Sequence, residues 1–294
     1  MNFFNFKYII RKRQIGDALW IEPVIRELSK RYKKVYVHTK YNELFKNYPY
    51  PNVIFKNKLS SIEKILSKVE RLLHTTFFFI NLEMSYEENP QEHFLYAYQR
   101  AAHLPLTDEY PKLYLSEEEI NKKIVPFDKY VVLHLDSVHS RNFRKIYGVD
   151  WAVIISYISS KGFKVVQLEE KSIKLEDGQS ISTNLRDLMA VIQKSSFFIG
   201  IDSSPSHFAA SLKIPSLIFF GSVNPLFRHF PKLFEGFFLQ QPCEFAGCYH
   251  TSPSKTGVRC RLVGDNGIPK CSLHSSEYVV RNIDLLLKQF LPDA

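Results

Sequence analysis

FFIGIDSSPSHFAASLKIPSLIFFG, residues 197–221, places an apolar run on each side of a polar loop and a short helix-like segment. The runs FFIG and PSLIFFG are typical of buried strands. The segment between them begins with serines and Pro205, which fits the start of a helix because no N–H is needed there. This order of strand, helix and strand predicts a unit of parallel sheet, whose ligands bind beyond the carboxyl ends of the strands. The loop that opens at Asp202 is therefore a candidate ligand site.

The same alternation of strand-like and helix-like runs extends through the chain. A polar, charged and proline-punctuated stretch at 104–130 interrupts it and is interpreted as the linker region. The sequence therefore predicts an α/β protein with two Rossmann-like domains facing each other across a cleft. We expect these domains at residues 1–125 and 126–294, the second closed by an amphipathic helix at 275–291.

The composition suits a folded protein without a membrane span. Of the 294 residues, 45% are hydrophobic and 14% aromatic, enough to build substantial cores. No apolar run approaches the length of about 18 residues that a membrane helix needs. The first apolar run precedes a basic cluster, whereas a signal peptide has the charges first, so it is interpreted as a first strand. We expect a cytoplasmic protein.

The formal net charge of +9 restricts the partners. Such a charge fits a merely basic protein, a phosphate-rich ligand, an anionic membrane surface or a nucleic acid. Aromatic residues do not alternate with the basic clusters as they do in RNA-binding motifs, so no nucleic-acid partner is expected.

The loop RKRQIGDALW, residues 11–20, follows the first predicted strand. Gly16 is expected to give a tight turn between strand and helix. Asp17 has two interpretations: it caps the free N–H groups at the helix start, or it is a general base that takes a proton from a hydroxyl. Neither G-x-G-x-x-G nor a Walker motif occurs, so the usual dinucleotide and ATP signatures are absent.

Two loops of the second predicted domain carry groups that suit an anion. Arg144 and Lys145 follow the strand at 130–135, and such a cationic cluster fits either a diphosphate or a solvated basic loop. Ser203 or Ser204 would cap the helix after Asp202, and free N–H groups at a helix start attract phosphate. An ordinary capped helix is the alternative, but it does not explain why Asp202 and His207 are present.

The chain has four cysteines, all within the segment 243–271. Their spacing, Cys243-x4-Cys248-x11-Cys260-x10-Cys271, lacks the usual C-x2-C pair of zinc sites. Disulfides are not expected in the cytosol. A structural zinc ion, an iron ion or plain thiols remain open.

The three loops together resemble the family 9 glycosyltransferases, the ADP-heptose:lipopolysaccharide heptosyltransferase family. The resemblance rests on IGDALWIEPVIREL, on VVLHLDSVHSRNFRKIYGVDW and, most specifically, on FFIGIDSSPSHFAASLKIPSLIFFGSVNP, in the family's order and spacing. It implies the GT-B fold, with an acceptor-binding first domain and a nucleotide-sugar-binding second domain. Ser204 stands where the family has glycine, and Leu135 and Asp136 stand where it has proline and glycine.

The resemblance also implies residue roles. Asp17 matches the catalytic base and Asp202 the acid that contacts the donor sugar. Donor binding is then expected from Gly16, Arg144, Lys145, Glu169, Asp202, Ser203, Ser204 and His207.

The implied activity is an inverting, metal-independent transfer of heptose or a related sugar. The sequence has no Asp-X-Asp pair, so cations and a helix start would neutralise the donor diphosphate. The implied donor is a nucleotide-diphosphate sugar, most simply an ADP-sugar. The implied acceptor is a lipopolysaccharide core or another glycan, lipid-linked and reached by peripheral contact with the inner membrane. No cofactor is expected for the chemistry.

Two other functions remain at this stage. The altered loops at Leu135, Asp136 and Ser204 fit a degenerate module that binds a nucleotide sugar or glycan without turnover. An epimerase or dehydrogenase of Rossmann type is disfavoured because the glycine fingerprint is missing.

Overall fold

The computed structural model describes residues 5–83, 85–88, 90–136, 144–168, 179–251, 260 and 267–292. The chain divides into two compact units, residues 1–115 and 116–294. The predicted α/β class and the two-domain organisation are confirmed.

The first unit is a parallel sheet with helices between its strands. Its elements, in chain order, are β1 (Phe6–Ile10), α1 (Ile15–Leu19), α2 (Glu22–Arg31), β2 (Lys34–His38), β3 (Val53–Lys56), α3 (Ser61–Leu72), β4 (Phe79–Asn81), α4 (Ser85–Glu88) and α5 (Phe94–Ala101). The strand order is β3-β2-β1-β4, and every pairing is parallel. Strands β2 and β3 are added on one side of β1, whereas β4 pairs with its other side. The strand order therefore reverses between β1 and β4, and ligands of such sheets bind at this switch point.

The second unit is a larger parallel sheet. Its elements are α6 (Glu117–Asn121), β5 (Tyr130–His134), α7 (Trp151–Ser160), β6 (Lys164–Leu168), β7 (Gln179–Ile181), α8 (Leu185–Lys194), β8 (Phe197–Ile201), α9 (Ser204–Ser211), β9 (Ser216–Phe219), β10 (Gly236–Leu239), α10 (Cys248–Thr251) and α11 (Ser276–Phe290). The strand order is β10-β9-β8-β5-β6-β7, again parallel throughout. Here the switch point lies between β5 and β8.

The central strands of the second unit are continuous apolar runs in the sequence because they are buried on both faces. Every residue of β5, β8 and β9 is buried, because helices cover both faces of the sheet. The predicted closing helix is confirmed as α11, which buries Val279, Ile283 and Leu286 in the same core cluster.

The division between the units falls earlier in the chain than the expected boundary after residue 125. The cause is the segment that contains α6. Glu119 and Arg186 of α8 form an ion pair of 2.7 Å, and Lys122 and Asp187 form another of 2.7 Å. These contacts join α6 to the second unit, although its polar sequence reads as linker.

Among the residues given above, no helix is long and apolar enough to cross a bilayer.

Candidate functional site

The switch point of the first unit is built around Arg11, which follows β1 and is 2% exposed. Its guanidinium donates to the carbonyl of Leu82 at 2.9 Å and to the carbonyl of Glu83, both just after β4. It also donates to Oδ2 of Asp17 on α1. Arg11 therefore ties together the loop after β1, the loop after β4 and the first helix.

The Asp17 carboxylate has one engaged oxygen and one open oxygen. Oδ2 accepts from Arg11, whereas Oδ1 makes no hydrogen bond to any described residue, and 13% of the side chain is exposed. The N-cap position of α1 belongs to Gln14, and no side chain caps the helix. Of the two interpretations of Asp17, the capping role is therefore wrong, whereas the role as a general base stays a prediction.

The turn before α1 differs from the expectation. The residue with left-handed backbone is Gln14, at φ 60°, whereas Gly16 is buried within α1. Gly16 therefore does not supply the tight turn.

Three side chains of this site were not predicted from the sequence. Oε1 of Glu87 lies 3.8 Å from the Arg11 guanidinium, and the rings of Tyr86 and Tyr98 lie 5.7 Å from it. Burial lowers the pKa of Arg11, but Tyr98, Asp17 and Glu87 more than offset this, so the pKa is raised and the cation is fixed.

The switch point of the second unit collects most of the predicted donor-binding residues. Asp202 follows β8 and is 3% exposed. Its Oδ2 lies 3.7 Å from the Arg144 guanidinium, and its Oδ1 lies 3.9 Å from Nε2 of His207. Oδ2 is buried and has no hydrogen-bond partner among the residues the structure describes. A buried carboxylate oxygen without a partner is uncommon in a folded protein.

Ser203 and Ser204 take different positions at the start of α9. The Ser203 hydroxyl lies 3.0 Å from Nδ1 of His134, at the end of β5, and 3.3 Å from the carbonyl of Ile201. Burial lowers the pKa of His134 to about 4, so this imidazole is neutral. Ser204 is the first residue of α9 and has no left-handed backbone, so this position does not require the family's glycine.

His229 is a further residue that sequence reasoning missed. It is fully buried, and its ring stacks on His207 with the centroids 4.9 Å apart. Burial, and then the neighbouring His207, hold the pKa of His229 well below its usual value. A neutral ring therefore fixes the orientation of His207 against Asp202.

The remaining predicted donor-binding residues are not brought into this group. Lys145 is exposed beside Arg144. Glu169 lies outside the described residues.

The four cysteines are free thiols in one region of the second unit. Burial, together with charge on the other three cysteines, raises the pKa of Cys271 to about 11. The backbone N–H of Gln241 donates to the carbonyl of Cys271 at 3.0 Å, which ties the two ends of the segment together. No group of three or more potential ligands is close enough to hold a metal ion in the part of the chain the structure describes.

Residues 180–232 match the model of glycosyltransferase family 9 (heptosyltransferase). The matched stretch runs from β7 to the residues after β9 and contains Asp202, Ser203, Ser204, His207 and His229. No curated protein matches the sequence.

Solved structures share the fold at low sequence identity. TibC, an iron-containing dodecameric glycosyltransferase from enterotoxigenic E. coli, has a TM-score of 0.72 at 13% identity, over 97% of this chain and 77% of TibC. The ADP-heptose lipopolysaccharide heptosyltransferase II of E. coli has a TM-score of 0.67 at 14% identity, over 97% and 99%. A family 9 glycosyltransferase from Veillonella parvula has a TM-score of 0.64 at 17% identity, over 98% and 99%.

The chain thus resembles the family 9 glycosyltransferases in sequence over residues 180–232 and has the GT-B fold of these enzymes.

Proposed function

We propose that this protein is an inverting glycosyltransferase that moves heptose or a related sugar from a nucleotide-diphosphate donor to a hydroxyl group of a glycan. The observation that carries this proposal is the buried, unsatisfied Oδ2 of Asp202. It lies at the switch point of the second sheet, beside Arg144, inside the stretch that matches the family model. A sugar hydroxyl of the donor would donate the missing hydrogen bond.

The donor is proposed to bind to the second unit. Arg144 and Lys145 supply positive charge for the diphosphate, and the start of α9 adds free N–H groups and the positive end of a helix dipole. The imidazole of His207 is proposed to donate a hydrogen bond to a phosphate or sugar oxygen. Gly16 and Glu169 remain proposed donor contacts. An ADP-sugar is the simplest candidate, because one solved structure of TibC, which shares the fold, is a complex with ADP-D-beta-D-heptose.

The acceptor is proposed to bind to the first unit, where Asp17 acts as general base. The ion pair with Arg11 holds Oδ2, so Oδ1 is left to take the proton of the acceptor hydroxyl. The hydroxyl oxygen forms a bond to the anomeric carbon as the bond from that carbon to the diphosphate oxygen breaks. Attack from the opposite face inverts the configuration, and the nucleoside diphosphate leaves with the bonding electrons. Its developing charge is stabilised by Arg144, Lys145 and the start of α9, without a metal ion.

The acceptor is proposed to be a lipopolysaccharide core or another lipid-linked glycan. The basic surface, with a net charge of +9, supports an acid-rich or phosphate-bearing acceptor.

The donor assignment is tested by measuring the binding of ADP, UDP, GDP and CMP, and of their sugar conjugates, by calorimetry or thermal shift. We expect one nucleotide class to bind, its sugar conjugate to bind more tightly, and Asp202→Ala to abolish only the gain from the sugar. Asp128→Asn, a change at an exposed acid far along the chain, is the control. Equal loss of nucleotide and sugar conjugate in Asp202→Ala would contradict contact with the sugar.

A structural metal at Cys243, Cys248, Cys260 and Cys271 stays a proposal from the sequence, with plain thiols as the alternative, because the described residues hold no group of three or more ligands close enough to bind an ion. The mutual effect of their charges on Cys271 supports a shared environment for the thiols. A bound zinc or iron ion would crosslink the segment 243–271 and take no part in the transfer. Elemental analysis by mass spectrometry tests this: about one metal ion per chain would support the structural metal, whereas a ratio near zero after purification without chelators would assign plain thiols.

A further inference from the structure

Helix α3 turns its apolar side away from the protein. Its side chains at spacings of three and four residues form one stripe along the helix. Ile62 is 70% exposed and Leu72 is 78% exposed. The stripe, which we call the α3 apolar face, consists of Ile62, Ile65, Leu66, Val69, Leu72 and Leu73, and all of them are exposed.

The opposite side of α3 holds the helix in this orientation through its acids. Glu63 accepts from the hydroxyl of Tyr8 at 2.7 Å and from the ammonium of Lys56 at 2.7 Å. Glu70 is buried and accepts from the backbone N–H groups of Phe78 at 2.8 Å and Phe79 at 3.0 Å. Rotating the helix to bury its apolar face would leave these N–H groups without partners, which is costly. The exposed apolar face is therefore built into the fold.

The charges beside the α3 apolar face all have one sign. Lys64, Lys68 and Arg71 follow one another at helical spacing along one edge of the face, and all three are exposed. None of them forms an ion pair with a described residue. Glu63 and Glu70 are the acids of the helix, and both point into the protein. The outward surface of α3 therefore combines apolar and cationic side chains without an anion.

We propose that the α3 apolar face and its cationic edge dock the protein on a bilayer surface rich in anionic phospholipid. A helix with an apolar stripe and a Lys/Arg edge lies in the membrane interface, its apolar side chains among the acyl chains and its cations at the headgroups. With 12 residues, α3 is far shorter than the roughly 20 residues that a spanning helix needs. Phe77, five residues after the helix, is a further exposed apolar side chain, at 68% exposure.

A second copy of the chain is the competing occupant, and the charge pattern disfavours it. A twofold interface places the same patch of each subunit against its mate. Lys64, Lys68 and Arg71 would then approach the same cations of the other copy, with no acid on the face to compensate. An anionic lipid surface matches both the shape and the charge of this face.

The proposal does not depend on the transfer reaction, and it is tested with the whole protein and lipid vesicles. Vesicles of phosphatidylcholine alone are compared with vesicles of phosphatidylcholine and phosphatidylglycerol in equal parts, by co-sedimentation. We expect binding to the anionic vesicles that weakens with added salt, and little binding to the neutral ones.

Two paired variants separate the contributions. Ile62→Ser with Leu72→Ser should lower partitioning onto anionic vesicles roughly tenfold or more, because the lost side chains would have left water. Lys64→Gln with Lys68→Gln should lower it about fivefold for each charge removed and flatten the salt dependence. Leu285→Ser with Lys288→Gln, exposed positions on α11, is the matched control and should bind like the unchanged protein.

Three outcomes would overturn the proposal: no binding of the unchanged protein to anionic vesicles, equal binding of all three paired variants, or an oligomer in sedimentation that Ile62→Ser with Leu72→Ser dissociates. The last would assign the face to self-association. All substituted side chains are exposed, and thermal unfolding verifies that each variant is folded; the lysine pair tests the proposal independently of the apolar pair.

Discussion

At the scale of single residues, Asp17 and Asp202 have opposite surroundings. Asp17 is held through Oδ2 by the buried Arg11, and its Oδ1 has no hydrogen-bond partner among the described residues, which suits the proposed role of taking a proton from a ligand. Asp202 is buried, with the Arg144 guanidinium at 3.7 Å and the His207 imidazole at 3.9 Å, which suits a group that accepts hydrogen bonds from a ligand.

Asp17→Asn tests the proton transfer. The amide keeps the size of the side chain but cannot accept the proton, so turnover should fall by roughly 10²–10⁴, while donor affinity stays unchanged. Single-turnover assays with the donor identified by binding would measure the rate, and calorimetry would measure the affinity. Asp128→Asn should keep full turnover; near-full turnover of Asp17→Asn would show that another group is the base.

The residues that the sequence did not reveal are those defined by contacts from distant segments. Asp17, Asp202 and His207 stand in motifs that follow strands, so the sequence was enough to predict their positions: Asp202 comes directly after β8, and Asp17 and His207 lie in the first helix after a strand. Glu87 and His229 reach the sites only through packing: Glu87 by way of α4 and Arg11, and His229 by stacking on His207. No local pattern encodes such a contact.

At the scale of elements, hydrophobic periodicity predicted the central strands of the sheets and the helices that cover them. The long apolar runs and amphipathic helices have the predicted type, whereas β7 and β10 are edge strands of three and four residues, too short for a periodic signal. The amphipathic pattern of α3 correctly predicts a helix but not its orientation. Its acids, rather than its apolar side chains, face the protein, because Tyr8, Lys56 and the N–H groups after the helix provide partners.

Gly200 allows β8 to pack closely against β5 beside the candidate donor site. It lies in β8, two residues before Asp202, and a Cβ there would lie 2.8 Å from the carbonyl oxygen of His134 and 2.6 Å from the Phe198 ring. Gly200→Ala should therefore push β8 from β5, cost about 1–3 kcal/mol of unfolding free energy and weaken nucleotide binding by displacing Asp202.

Gly162→Ala is the matched control, because a Cβ at Gly162 meets nothing within 4 Å and its strain comes only from φ +82°. It should lose stability without losing nucleotide affinity. Denaturant titration and calorimetry on both variants would measure the two effects. An unchanged affinity in Gly200→Ala would mean that β8 absorbs the extra methyl group without moving Asp202.

At the scale of the whole molecule, one parallel-sheet plan is used twice. In each unit the candidate residues follow the two central strands at the switch point: β1 and β4 in the first unit, β5 and β8 in the second. The plan was predictable because strands and helices alternate over most of the chain. The exact division between the units could not be predicted. The polar sequence of α6 is typical of a linker, and its ion pairs with α8 are visible only in the structure.

Buried neutral histidines make the stability of the whole chain sensitive to acid. Burial lowers the pKa of His134 and of His274 to about 4 each. The unfolded chain binds a proton at each of these histidines below a pH of about 6.5, whereas the folded chain does so only near pH 4. The unfolded state therefore holds more protons across this window, and stability falls as the pH is lowered through it.

His274 offers a test of this acid sensitivity. Its Nδ1 accepts from the side-chain amide of Gln241 at 3.1 Å, and its ring stacks on Tyr278, so it is held neutral away from the donor site. The free energy of unfolding should drop by about 2 kcal/mol for each such histidine between pH 7 and pH 5. In His274→Gln the drop should be smaller by that amount, as measured by urea titration at the two pH values. His103→Gln, at an exposed histidine, should leave the drop unchanged; an identical pH dependence in His274→Gln and the parent would mean that His274 takes up its proton without unfolding.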